Sequence, residues 1–212
     1  MGKKVLLFFM FFLLSLTLAS CTQSKSTTED NSNNQVESTL PSEETQEPEV
    51  PTVFEALGKT YSSSKNLSEI KIGTNIYDDQ QSLHYTPGEY KELDFTNDLL
   101  YLYLNEDSSV YNYLVSYDTT SENGYIPITN EDREKLIKDL NSLREQMELS
   151  SGQEMVVRLD KVTYEGPSSE TNTGATFKIR VAISRVGATV VPWNYFTVTI
   201  FEEGNKLFAY LF

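Results

Sequence analysis

Between residues 175 and 186 the side chains alternate strictly: Phe177, Ile179, Val181 and Ile183 are apolar, and those between them are polar or small. Successive side chains of an extended strand point to opposite faces, so a period of two places all four on one side. A helix would scatter them around its circumference. The same parity recurs at 193–203, where Phe196, Val198 and Ile200 share a face, and shorter runs at 155–164 and 206–212 flank the pair. Gly204-Asn205, between the last two runs, has the composition of a tight hairpin turn. Four such runs, each apolar on one side, predict an antiparallel meander that needs a cover.

The predicted cover is the segment 130–149. Thr129 and Asp132 stand at capping-pair spacing, and Leu136, Ile137, Leu140, Leu143 and Met147 fall along one helical face. Glu131 with Lys135, and Glu134 with Lys138, add i,i+4 pairs on the outside. The expected architecture is therefore α+β, an antiparallel sheet with a C-terminal meander covered by an amphipathic helix at about 130–149. With 13 Tyr and 11 Phe in the chain, a domain of about 160 residues buries roughly 70% of its unfolded surface without disulfides.

Upstream, Thr52-Val53-Phe54-Glu55 reads as a capping box opening a short helix, with Val53, Phe54, Leu57 and Tyr61 at helical spacing. A strand is expected at Ile70–Tyr77. Leu99–Leu104 and Val110–Tyr117 read as a hairpin joined by the polar stretch Asn105–Ser109. Pairing Leu104 with Val110 would set Tyr103 opposite Tyr111 and Tyr101 opposite Tyr113, with Tyr117 extending the same face. Cross-strand aromatic pairs stabilise a sheet by roughly 0.2–1 kcal/mol each, which alone accounts for such a stripe. Left exposed, the stripe would be an amphipathic platform for a sugar or a protein. Tyr101, Tyr103, Tyr111 and Tyr113 are thus the binding face that the sequence suggests.

The chain carries 31 acidic and 17 basic residues, a formal charge of −14. That balance argues against nucleic acid as a partner, because binding polyphosphate requires clustered cations. It also opposes electrostatic attachment to anionic headgroups, so any membrane anchor must be apolar.

The N-terminus supplies an apolar segment. Met1-Gly2-Lys3-Lys4 precedes an uncharged run from Val5 to Leu18, which is shorter than the roughly 20 residues a span needs and has the flanks of a secretory signal. The Met-Gly start does not complete a myristoylation motif, since Leu6 occupies the position of the required Ser or Thr. The run ends in Leu18-Ala19-Ser20-Cys21, which resembles the lipobox of bacterial lipoprotein precursors. That resemblance implies cleavage before Cys21, a diacylglyceryl group on its sulfur, and residence on the extracytoplasmic face of the cell membrane. Cys21 is the sole cysteine, so it has no disulfide role within the chain. Residues 22–52 hold seven acidic residues, one lysine (Lys25) and three prolines, too little apolar surface to offset the entropy of ordering. Such a segment looks like the tethers of Gram-positive surface lipoproteins. The expected organisation is a signal at 1–20, a lipid-anchored acidic tether at 21–51 and a single domain at 52–212.

Chemistry is sparse. His84 is the only histidine, so zinc sites built on histidine and cysteine are excluded from the domain. No Gly-x-Ser-x-Gly presents a nucleophile and no glycine-rich loop cradles phosphate. Asp118–Thr129 has the length of a calcium loop, but Gly124 stands one position late and Thr129 replaces the closing Glu. Neighbouring carboxylates such as Asp78-Asp79 and Glu202-Glu203 point to opposite faces of a strand. The expectation is a monomeric, non-enzymatic surface lipoprotein without cofactor or metal, binding a protein or glycan or supporting an envelope complex. Two alternatives stand beside it. One is an enzyme acting on cell-wall glycan through acidic residues. The other is release of Leu13–Ser20 as a peptide similar to the enterococcal sex pheromones.

Overall fold

The computed structural model describes residues 53–78, 84–188 and 192–211. The expected signal at 1–20, Cys21, the tether at 21–51 and the peptide Leu13–Ser20 lie outside the described residues, as do Asp79 and Phe212. The elements, all within one unit spanning Gln46–Phe212, run in chain order. They are β1 (Phe54–Ala56), β2 (Lys59–Tyr61), β3 (Asn75–Asp78), α1 (Lys91–Leu104), β4 (Val115–Tyr117) and β5 (Tyr125–Pro127). There follow α2 (Asn130–Gln146), β6 (Met155–Gly166), β7 (Ala175–Arg185), β8 (Trp193–Glu203) and β9 (Lys206–Leu211).

The class is α+β. A seven-stranded sheet has the order β2-β1-β9-β8-β7-β6-β3, and β4 with β5 makes a separate hairpin. The meander β6–β9 is antiparallel throughout, as the alternation predicts. Phe177 lies opposite Val198 and Ile179 opposite Phe196, so the apolar sides of adjacent strands coincide. Ala175, Phe177, Ile179, Val181 and Ile183 are all buried. Strand β6 carries a bulge, with the register shifting between Leu159 and Lys161. Asp160 is the extra residue, which re-aims its side chain away from the buried face.

The helix lying directly on that face is α1, which contacts β6, β8 and β9. This helix adds to the expected cover, since Leu136, Leu143 and Met147 of the 130–149 segment also pack against the core. Leu93, Thr96, Leu100 and Leu104 are fully buried at spacings of three and four, with Phe95 and Leu99 buried beside them, the pattern of a helical stripe. Residues 99–104 therefore belong to a helix, not to one arm of a hairpin, and 108–113 form a 3-10 turn leading to β4. The predicted helix at 130–149 exists as α2, opened by the Thr129–Asp132 capping box. Hydrogen bonds to α1 tie it down, from the Tyr103 hydroxyl to the Leu136 carbonyl and from Arg144 to the Leu104 carbonyl, and it buries Leu140 and Arg144 while leaving Ile137 exposed.

Two N-terminal expectations are also corrected. The expected helix at 52–61 is a hairpin in which Phe54 pairs with Tyr61. Its two-residue turn puts Leu57 at φ 52° and Gly58 at φ 71°, the left-handed pair that suits the twist of a tight hairpin. The expected strand at 70–77 forms only at Asn75–Asp78, after a 3-10 turn at Leu67–Glu69.

Candidate functional site: the outward face of the central strands

The tyrosines singled out from the sequence do not share a surface. Tyr101 and Tyr103 are two residues apart on α1, about 200° around the helix axis. Tyr101 is exposed and donates to Glu154 at 3.0 Å. Tyr103 is buried, its hydroxyl donating to the Leu136 carbonyl at 2.8 Å. Tyr111 lies under the Arg133 guanidinium, 4.6 Å from its ring centre, and Tyr113 packs against the core. The stripe required a hairpin, and a helix at 91–104 separates its members.

An aromatic surface does exist on the side of the sheet away from α1. The parity that buries Val198 and Ile200 turns Trp193, Tyr195, Thr197 and Thr199 the opposite way along β8. Trp193 is 45% exposed and Tyr195 is 74% exposed. These residues were legible in the sequence, since the alternation at 193–203 fixes both faces and not only the buried one.

Beneath this pair lies a charged support. The Arg180 guanidinium sits 4.8 Å from the Trp193 ring centre, and Arg180 is the register partner of Tyr195. Both Nε and Nη2 of Arg180 reach Oδ2 of Asp160, whose side chain is wholly buried. Arg158 Nη2 stands 3.6 Å from the other Asp160 oxygen. The bulge thus places a carboxylate under two arginines, and one arginine fixes the tryptophan ring.

The far end of the same face is roofed by the β4–β5 hairpin. Tyr117 packs on Tyr210 with ring centres 4.1 Å apart, and Tyr125 packs on Phe201 at 4.5 Å. Burial, then the neighbouring Tyr117, raises the Tyr210 hydroxyl above its ordinary pKa, keeping it neutral. Between roof and aromatic pair runs an open groove of about 600 Å³. Tyr117, Glu165, Ser168, Thr176, Lys178 and Thr197 line it. Lys178 and Glu165 form an exposed ion pair at 3.5 Å.

Along the groove floor the hydroxyls form a chain. The Glu170 amide donates to Ser168 Oγ at 3.1 Å, and Ser168 donates to the Tyr117 hydroxyl at 2.8 Å. Tyr117 donates to Thr199 at 3.2 Å, and Thr199 and Thr176 lie 3.0 Å apart.

Other polar features have local partners. Asp118 accepts from the amide and hydroxyl of Thr120, so residues 118–124 turn the β4–β5 hairpin and 125–127 are its second strand. Among the described residues no cluster of three His, Cys, Asp or Glu could hold a metal ion. His84 is exposed. Among the described residues no helix is long and apolar enough to cross a membrane. Comparison with family models, curated proteins and solved structures finds no match to this chain.

Proposed function

We propose that the chain is the precursor of a lipid-anchored extracytoplasmic protein, cleaved before Cys21, whose domain binds a partner through the outward face of β7 and β8. The observation that carries the binding role is the exposure of Trp193 and Tyr195 side by side on one strand, with Arg180 packed against the indole. Burying a large aromatic side chain is worth roughly 1.5–3 kcal/mol. Two on one open face forgo that gain in the free domain and regain it on binding. The anchor rests on the lipobox-like Leu18-Ala19-Ser20-Cys21. A diacylglyceryl group supplies the two acyl chains that stable attachment takes.

Two measurements test this reading. In cells, Cys21→Ala should abolish lipid labelling and release the protein from the membrane fraction. A variant that stays membrane-bound after a carbonate wash would mean that residues 5–19 remain as an anchor. Separately, the Trp193→Ala/Tyr195→Ala double variant should lose retention on isolated envelopes while its melting temperature is unchanged. Equal retention of variant and wild type would remove the binding role from this face.

A further inference from the structure

We infer that the ligand of this face is a neutral glycan, lying along β8 with sugar rings against Trp193 and Tyr195 and an oxygen accepting from the Thr176 hydroxyl. The inference rests on the reading of this face as a binding surface, and three observations narrow the ligand to a sugar.

The first is the direction of the hydroxyl chain. Ser168 accepts from the Glu170 amide and donates to Tyr117, and Tyr117 donates to Thr199. Thr199 is 2% exposed, and a buried donor left unpaired is costly, so its hydrogen goes to Thr176. Thr176 then holds the one unspent hydrogen of the chain. It lines the groove, and each upstream bond strengthens it as a donor. Hydroxyl and ring oxygens are its natural acceptors.

The second is charge. The outward face carries Arg158, Lys178 and Arg180 against Asp160 and Glu165, and each cation already faces a carboxylate. In a chain of net charge −14, this nearly balanced face attracts neither polyanion nor polycation, whereas Lys178 and Glu165 can still exchange hydrogen bonds with neutral hydroxyls.

The third is length. Trp193 to Thr199 spans about 20 Å of strand, with the Cα atoms of Trp193 and Tyr195 about 7 Å apart, a track for several linked sugar units.

Trp193 is the only tryptophan, so its fluorescence reports directly on the face. The full-length chain, held in a polyoxyethylene detergent, is titrated with soluble neutral glucan, mannan, galactan and N-acetylglucosamine oligosaccharides. Polygalacturonate and poly-glutamate serve as charged comparators. At least one neutral oligosaccharide should shift the indole emission saturably, with little dependence on salt. Tyr195→Ala should weaken that binding about tenfold. Thr176→Val should weaken it while Thr176→Ser preserves it, with thermal melts confirming that both remain folded. Absence of a shift with every neutral sugar, or a salt-sensitive shift with a charged comparator alone, overturns the inference. Loss of envelope retention in the Trp193→Ala/Tyr195→Ala variant alongside either result would preserve the binding face and reject only the sugar.

Discussion

Arg144 on α2 donates from Nη1 to the carbonyl of Leu104, the last residue of α1, at 2.9 Å. Its Nη2 donates to the carbonyls of Ser150 and Gln153, each at 2.7 Å, and stands 3.2 Å from Glu106. One buried guanidinium thus closes the end of α1 and fixes the loop that leads into β6. Arg144→Ala strands these carbonyls and should cost about 3–5 kcal/mol in a denaturant melt. Arg144→Lys keeps the charge without the fork and should recover only part of that loss. A cost below about 1 kcal/mol for the alanine variant would refute the bridging role.

Glu92, in the first turn of α1, is buried, and its Oε2 has no hydrogen-bond partner. Burial raises its pKa above the ordinary 4.5, against the pull of Lys91, whose amine lies 3.1 Å from Oε1 and 3.0 Å from Glu202. A carboxyl with a raised folded-state pKa binds its proton more tightly when folded. Its contribution to stability is complete below about pH 4.5 and is lost as pH rises through the folded value. Glu92→Gln should therefore gain on wild type as urea melts move from pH 4.5 to pH 8. A difference independent of pH would contradict it.

Gly174 opens β7 at φ 74°, where an added Cβ would stand 2.7 Å from the Ile200 carbonyl oxygen and 3.0 Å from the Phe201 ring. Gly204, in the β8–β9 turn, has φ 60° with nothing within 4 Å of such an atom. Gly204→Ala should cost about 1–2 kcal/mol, the strain of the left-handed conformation alone. Gly174→Ala adds a backbone collision and should cost about 3 kcal/mol or more. Equal melting temperatures for the two variants would exclude that collision.

Tyr103 and Tyr101 offer a paired measurement on one helix. Truncating the buried Tyr103 to alanine should cost about 3–5 kcal/mol. The same change at exposed Tyr101 should stay within about 0.5 kcal/mol. Similar losses at both would restore a common environment for the two rings.

The meander was legible because β7 and the middle of β8, from Phe196 to Ile200, keep a period of two on their buried side. The capping box of α2 was legible for a similar reason, since Thr129 and Asp132 signal it through local chemistry alone. α1 was misread because Leu99–Leu104 is apolar at every position, so periods of 2 and 3.6 fit equally well. Extending the window back through Phe95 and Leu93 breaks the tie in favour of a helix. The β1–β2 hairpin was hidden by Leu57, a residue seldom found at positive φ. On the outward face of β8, strand parity carries the signal for Trp193 and Tyr195, although the sequence reading pointed to Tyr101, Tyr103, Tyr111 and Tyr113 instead. The buried support did not, because placing Asp160 under Arg180 depends on a bulge that pairing with β7 reveals.

Glu55 of β1 has Lys206 of β9 as its neighbour, in a parallel pairing. The β1–β2 hairpin and the last strand are therefore mutual supports, although nearly the whole domain separates them along the chain. Loop closure over that distance must precede the contact. A chain emerging N-terminus first would hold Phe54 and Tyr61 in waiting until β9 arrives. Maturation is then timed by delivery of β9, and a chain stopped short of it should be a target for proteases despite having made almost every element before it.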